Sequence, residues 1–178
     1  SGFSSSISGG NSNVASEKYS SVTGGRDNSA TNSFASVSGG YSNEASEYAS
    51  SVTGGRLNSA TYSYSSVSGG KSNVASGQFS SISGGEENVA SGKFSSIIGG
   101  HSNVASAEYS SVTGGTENRA TNWYASVGGG WNNTASGKQN NNRATGGYAS
   151  VSGGQNNEAS VLQLVVEIQM LPLKNIPP

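Results

Sequence analysis

A valine or isoleucine recurs every fifteen positions along this chain, and in most repeats it stands between two small polar residues. Ser21-Val22-Thr23 is one example of this alternation, which has a period of two and predicts a short β-strand with one buried face. The strand valines and isoleucines in this column are Val22, Val37, Val52, Val67, Ile82, Ile97 and Val112.

A second short strand is predicted in each repeat, around an alanine that follows a constant asparagine, as in Asn28 to Thr31. A Gly-Gly pair and two variable residues join the two strands, and this composition predicts a turn because glycine adopts positive φ angles at little steric cost. The stretch that leads to an aromatic residue predicts the other turn. The density of glycine excludes a helix.

The repeat runs nine times without a gap from Ser1 to Ala135. Such a short internal repeat is typical of a solenoid, in which strands of successive coils pair in parallel at about 4.8 Å. We therefore expect an all-β fold, a parallel β-solenoid of fifteen-residue coils. The repeat domain is expected to cover residues 1–160 in about eleven coils, with one shortened unit at 136–144.

The interior of such a coil has room only for small side chains. We expect the valine and isoleucine column, the strand alanines and the small residue before the strand serine, such as Ala35, to point inward. Side-chain amides in register bond to the layers above and below, so the constant asparagine is interpreted as a structural ladder. Its members are Asn13, Asn28, Asn43, Asn58, Asn73, Asn88, Asn103, Asn118 and Asn133.

One aromatic residue per repeat predicts a stack of rings along one corner of the solenoid. Two uses are open: the stack is structural and also covers a neighbouring chain, or it stacks on a sugar or a nucleobase. The column comprises Tyr19, Phe34, Tyr64, Phe79, Phe94, Tyr109, Tyr124 and Tyr148, with Phe3 and Tyr48 displaced by one position.

Composition alone would indicate a disordered segment, because only 31% of the residues are hydrophobic and 27 of the 178 residues are glycine. The repeat overturns that interpretation. The net charge is −1 without runs of like charge, so neither nucleic acid nor an anionic membrane surface is an expected partner. The absence of cysteine excludes disulfides and thiolate metal sites.

The residue types that catalysis requires are nearly missing. His101 is the single histidine and Asp27 the single aspartate, and both fall in a variable turn. A catalytic triad or a histidine metal cluster needs partners that this chain lacks, and calcium-binding repeats need many carboxylates. We expect no enzymatic activity, no cofactor and no metal.

Large side chains at the variable turns are the candidates for contact with a ligand, because binding residues concentrate on loops and aromatic anchors dominate interfaces. These candidates are Trp123, Trp131, Tyr41 and Tyr62.

The repeat ends at Ser160, and residues 161–178 differ in character. Hydrophobic residues alternate from Leu162 to Met170, which favours a strand that caps or connects the solenoid, although Val161, Leu164, Ile168 and Leu171 also fit a short heptad seam. The segment is too short and too often interrupted to span a bilayer.

The motif Ser-Val-Ser-Gly-Gly-x-x-Asn-x-Ala-Ser-Gly at Ser66 to Gly77 resembles the Ser-Val-Ala-Ile-Gly-x-x-Ala-x-Ala-x-Gly repeat of YadA-like heads in trimeric autotransporter adhesins. The resemblance covers most of residues 1–160, and the present unit differs in its length, in Gly for Ile and in Asn for Ala. It implies a left-handed β-roll in a side-by-side homotrimer, exposed on the bacterial cell surface and anchored through a part outside this sequence. The implied function is adhesion to a host or matrix ligand, as a virulence factor; a phage tail fibre is a related possibility.

Trimerisation also follows from the thin core, because an additional buried face would stabilise it. Two other functions are open. Flat solenoid faces with threonine ladders bind ice, and Thr23, Thr53 and Thr113 stand in such a column, although serine dominates it. Unpaired end strands would also permit assembly into an extracellular matrix fibre.

Overall fold

The protein is a parallel β-solenoid, as the fifteen-residue period predicts. The computed structural model describes residues 3–136 and 148–159, and in this part of the chain all regular structure is β, with no helix. Each coil contributes two strands of two residues, and each strand pairs in parallel with its equivalent in the next coil.

The strands form two sheets of ten strands each within the described residues. Sheet 1 contains β1 (Ser6–Ile7), β3 (Ser21–Val22), β5 (Ser36–Val37), β7 (Ser51–Val52), β9 (Ser66–Val67), β11 (Ser81–Ile82), β13 (Ser96–Ile97), β15 (Ser111–Val112), β17 (Ser126–Val127) and β19 (Ser150–Val151). Sheet 2 contains β2 (Val14–Ala15), β4 (Ser29–Ala30), β6 (Glu44–Ala45), β8 (Ser59–Ala60), β10 (Val74–Ala75), β12 (Val89–Ala90), β14 (Val104–Ala105), β16 (Arg119–Ala120), β18 (Thr134–Ala135) and β20 (Glu158–Ala159).

The core between the two sheets is thin and continuous. Valine or isoleucine from sheet 1 meets alanine from sheet 2 in every coil, and from Val22 to Ala135 these side chains are almost completely buried. The small residue before the strand serine is also buried: Ala35 lies in the core, and Ser20 at the same position donates its hydroxyl to the carbonyl oxygen of Glu17 at 2.7 Å. The predicted inward positions are therefore confirmed.

A third backbone ladder runs along the corner after each Gly-Gly pair, where the sequence predicts only a turn. The first variable residue of this corner forms a parallel bridge with its equivalent in the next coil, as Arg26 does with Tyr41. Because the corner is bonded from coil to coil, its side chains form a column in register.

Each coil turns through residues with positive φ angles. The second glycine of the pair has φ near +89° at Gly85, and the second variable residue has φ of 57° at Glu87. The aromatic residue of the other turn is also left-handed, with φ of 58° at Phe94. Bulky side chains rarely adopt this conformation, and here the aromatic N–H donates to the preceding coil, as Phe94 does to the Gln78 carbonyl at 2.9 Å.

The register changes once. β17 pairs directly with β19 and β18 with β20, a step of 24 residues, so no coil lies between them. The described residues therefore form ten coils, where the sequence pattern predicts about eleven. Of the predicted short unit at 136–144 only Ser136 is described, and the predicted capping strand at 161–178 lies outside the described residues.

None of the described residues belongs to a helix that is long and apolar enough to cross a membrane.

Candidate lateral binding surfaces

The asparagine ladder lies inside the solenoid and satisfies backbone groups of neighbouring coils. The Asn88 amide donates to the carbonyl oxygens of Gly84 and Gly100, at 3.1 and 3.0 Å, and its Oδ1 accepts from the backbone N–H of Asn103 at 3.0 Å. The same pattern recurs along the ladder, and every ladder asparagine from Asn28 to Asn133 is buried. These side chains face no solvent, so they are not available to a ligand.

The aromatic ladder forms a continuous ring stack along the opposite corner. Its described members in contact are Tyr19, Phe34, Tyr48, Tyr64, Phe79, Phe94, Tyr109, Tyr124 and Tyr148. Neighbouring ring centroids are 4.8 to 5.5 Å apart. The ring of Tyr48 fills the gap left by Ala49, which takes the left-handed position in that coil.

The ring faces of the ladder are already occupied by neighbouring rings. From Tyr64 to Tyr148 the planes of adjacent rings differ by no more than 14°. A sugar or a nucleobase stacks on an exposed face, whereas this ladder offers solvent its ring edges. Of the two uses that the sequence leaves open, the geometry favours cover by a partner that packs against edges.

The surroundings of the ring stack change the phenol of Tyr124. Loss of water around this group raises its pKa, and the neighbouring phenols of Tyr109 and Tyr148 raise it further. The hydroxyl of Tyr124 therefore stays protonated over a wider pH range than a free tyrosine does.

Phe94→Ala is expected to destabilise the solenoid by about 1–2 kcal/mol, because Phe94 stacks on both Phe79 and Tyr109 at 5.0 and 4.9 Å. Phe94→Tyr, which keeps the ring, is expected to stay within about 0.5 kcal/mol of the parent. Urea denaturation followed by circular dichroism measures both. Equal stability of the two variants would contradict a stabilising role of the stack.

The corner column that follows each Gly-Gly pair carries the most varied side chains. Lys71 forms an ion pair and hydrogen bond with Glu86, which lowers the pKa of the Glu86 carboxyl. His101 Nε2 lies 3.6 Å from a carboxylate oxygen of Glu87, a contact that is ionic only when the histidine is protonated. All four side chains are solvated, so these two contacts are surface ion pairs that contribute little to stability.

The four aromatic residues predicted as a contact site are not gathered in one place. Tyr41 and Trp131 belong to the bridged corner column, six coils apart, which is about 29 Å at the usual strand spacing. Tyr62 and Trp123 lie in the turn before the aromatic ladder, where Trp123 meets Tyr124 edge to face at 6.3 Å. All four are exposed, and Trp131 Nε1 donates to Glu117 at 3.2 Å.

The outer faces of the two sheets differ in chemistry. Sheet 1 presents serine at the first position of all ten strands and a second, exposed column of mostly serine and threonine, interrupted by Ile98 and Gly128. Sheet 2 presents valine, serine, threonine and charged residues in its outward column. In residues 3–136 and 148–159 no three histidine, cysteine or acidic side chains are grouped closely enough to hold a metal ion.

No protein-family model matches this chain, and no curated protein sequence matches it either.

Proposed function

We propose that this chain is a non-enzymatic, surface-exposed rod that mediates attachment through its lateral surface, on the bacterial cell surface. The observation that carries the proposal is the aromatic ladder: a row of exposed rings held in fixed positions by a backbone that is bonded from coil to coil. Rigid aromatic rings provide contact area at low entropic cost, and such side chains are enriched in interfaces.

The trimer implied by the resemblance to YadA-like heads suits this surface. Rings such as Tyr64 and Phe79 remain 46% and 42% exposed although they stack on one another. Continuous apolar surface of this kind marks an interaction site, and a neighbouring parallel chain would cover it along the whole rod. We infer that three chains pack side by side at this corner.

Light scattering on the purified chain tests the trimer. The expected mass is three times the 17.8 kDa of one chain. A variant with Phe79, Phe94 and Tyr109 all changed to serine is expected to yield a smaller species, because it removes the centre of the apolar surface. A parent chain that remains monomeric at high concentration would refute the trimer.

In the test of adhesion, the chain is attached to beads, and the beads flow over a surface that is coated with extracellular-matrix extract. The parent is expected to retain beads under flow through the faces that its trimer leaves exposed. The triple serine variant is expected to lose retention because it does not assemble the trimeric rod. A matched control changes Ser81, Ser96 and Ser111, on the outer face of sheet 1, to alanine. Retention that is the same for all three proteins and for bare beads would remove the attachment role.

Ice binding is a second candidate, and the outer face of sheet 1 favours it. Serine hydroxyls repeat there at strand spacing of about 4.8 Å, beside a column that includes Thr23 and Thr113. Recrystallisation of ice in the presence of the chain separates the candidates: unchanged grain growth at high concentration eliminates ice binding and leaves attachment unaffected.

A matrix fibre is the third candidate, favoured by the ends of the solenoid. Strand N–H groups donate towards the next coil, as Ser21 does to Ala35, so the first and the last described coils carry complementary backbone groups. Fibres visible by electron microscopy after incubation would support it over a discrete trimer.

A further inference from the structure

We propose that two copies of this solenoid associate face to face through the outer face of sheet 2, with their long axes antiparallel. The outward column of this sheet, in strand order, is Val14, Ser29, Glu44, Ser59, Val74, Val89, Val104, Arg119, Thr134 and Glu158. The argument rests on how charge and apolar residues are distributed along that column.

Two opposite charges occupy equivalent places from the two ends. Glu44 lies on the third strand of the sheet and Arg119 on the eighth, which is third from the other end. Both residues are exposed, and neither charged side chain forms an ion pair or a hydrogen bond with another described residue. An unpaired charge on each half of a flat face is an available recognition element.

A twofold axis along the strand direction brings these charges together. It turns the faces towards each other and reverses the order of the coils, so the third strand of one copy lies opposite the eighth strand of the other. Glu44 of each copy then faces Arg119 of the other, which makes two equivalent ion pairs. The same operation overlaps all ten strands of the two sheets.

The centre of the face is apolar in the same arrangement. Val74 and Val89 lie on the fifth and sixth strands, so each faces the other across the axis, and Val104 faces Ser59. The next outward position of each strand is serine or threonine throughout sheet 2 up to Ser136. Small side chains let two sheets approach to about 10 Å and cover the valines.

The alternative alignments are less favourable. A parallel twofold contact through the same face places Glu44 opposite Glu44 and Arg119 opposite Arg119, and like charges in an interface are repulsive. Pairing Arg119 with Glu158 overlaps only the last strands and leaves Val74 uncovered. The charge pattern therefore selects full antiparallel overlap.

The contact is modest in size. Ten strands at about 4.8 Å and a face roughly 11 Å wide give about 500 Å² per copy, which is at the low end of specific interfaces. We therefore expect reversible association in the micromolar range, weakened by salt because the ion pairs lie near solvent.

Charge reversal tests the pairing. Glu44→Arg and Arg119→Glu are each expected to weaken self-association at least about tenfold in sedimentation velocity, because each variant places like charges opposite one another. An equimolar mixture of the two variants is expected to recover the parent association, since the arginine introduced into one variant meets the glutamate introduced into the other. Failure of the mixture to exceed either variant alone would overturn the proposal.

Matched controls carry the same charge changes outside the face. The controls are Glu47→Arg, in the turn of the same coil as Glu44, and Lys93→Glu, in the turn after β12. The native side chains of Glu47 and Lys93 are both exposed. Both controls are expected to associate as the parent does. If the controls weaken self-association as much as Glu44→Arg does, net charge governs the association and not the pairing of Glu44 with Arg119. That result would also overturn the proposal.

Spin labels decide the orientation, because the chain has no cysteine of its own. Ser21→Cys, near one end of sheet 1, and Ser81→Cys, at its centre, place labels on the opposite side of the solenoid from the contact. In an antiparallel pair the axial offset between identical labels is seven coils for Ser21 and one coil for Ser81, or about 34 and 5 Å. Parallel neighbours give the same distance at both sites, so the antiparallel pair is recognised by a distance at Ser21 that exceeds every distance at Ser81. Absence of that longer distance would overturn the proposal.

The proposal does not depend on the attachment role or on the trimer. The sedimentation of the mixture is compared with that of each charge-reversed variant alone. This comparison detects pairing whether the associating unit is a single chain or a trimer. A failed mixture overturns the antiparallel contact and leaves the aromatic-corner trimer intact.

Discussion

Gly85→Ala is expected to destabilise the solenoid by about 3 kcal/mol or more and to break the stacking at its centre. Gly85 has φ of +89°, where a side chain is strained. An added Cβ would also overlap the Gly100 carbonyl oxygen and stand 2.8 Å from the Gly100 nitrogen and 2.6 Å from the Asn88 amide nitrogen. Backbone of the next coil would have to move, and that movement breaks the corner bridge and the asparagine ladder together.

The other glycine of the same pair provides the control. Gly84 has no heavy atom within 4 Å of an added Cβ and no positive φ angle. Gly84→Ala is therefore expected to change stability by less than about 0.5 kcal/mol. Thermal and urea unfolding followed by circular dichroism compare the two variants directly. Similar losses of stability in the two variants would mean that the Gly-Gly pair is needed for flexibility and not for the close approach of the coils.

Asn88→Ala is expected to destabilise the solenoid by about 3 kcal/mol, because it leaves buried backbone groups without partners and opens a cavity. The Gly84 carbonyl oxygen and the Asn103 N–H lose the partner that the Asn88 side chain provides. The Gly100 carbonyl oxygen loses one of its two partners and keeps the N–H of Glu86. Hydrogen exchange adds a local readout: the Asn103 amide is expected to lose protection before amides in distant coils do.

Two further variants define the role of the Asn88 amide. Asn88→Asp keeps the acceptor and the shape but directs a carboxylate at two carbonyl oxygens, so it is expected to be at least as destabilising as the alanine variant near neutral pH. Asn32→Ala is the surface control, since its Oδ1 accepts from the neighbouring Ser33 N–H within the same turn. If Asn32→Ala lowers the stability as much as Asn88→Ala does, the asparagine ladder does not stabilise the solenoid more than a surface asparagine.

The architecture of the coil could be predicted from sequence because few residue types fit each position. Val22 and Ala30 fall in columns with one face buried, so a period of fifteen fixes both the strands and their register. The bridged corner at Arg26 could not be predicted, because its side chains vary and the bond pattern is made by backbone atoms alone. The left-handed conformation of Phe94 could not be predicted either, because bulky side chains rarely adopt it.

The candidate surfaces were less predictable than the fold. The aromatic column is visible in the sequence, but the ring orientation that occupies its faces depends on the three-dimensional stack, as at Phe79 and Phe94. The placement of Glu44 and Arg119 also becomes meaningful only when the strands are counted along sheet 2. That count requires knowing that β18 pairs directly with β20 across 24 residues, which the repeat pattern alone does not show.

The coil-to-coil bonding has a mechanical consequence. Tension along the axis acts directly on the hydrogen bonds between adjacent coils, for example those from Ser81 to Ser95 and from Val89 to Asn103. Coils should therefore detach one at a time from an end, and each would lengthen the chain by about 45 Å, the difference between fifteen extended residues and one strand spacing. A rod built in this way would yield in small steps under load, which limits the peak force along its axis.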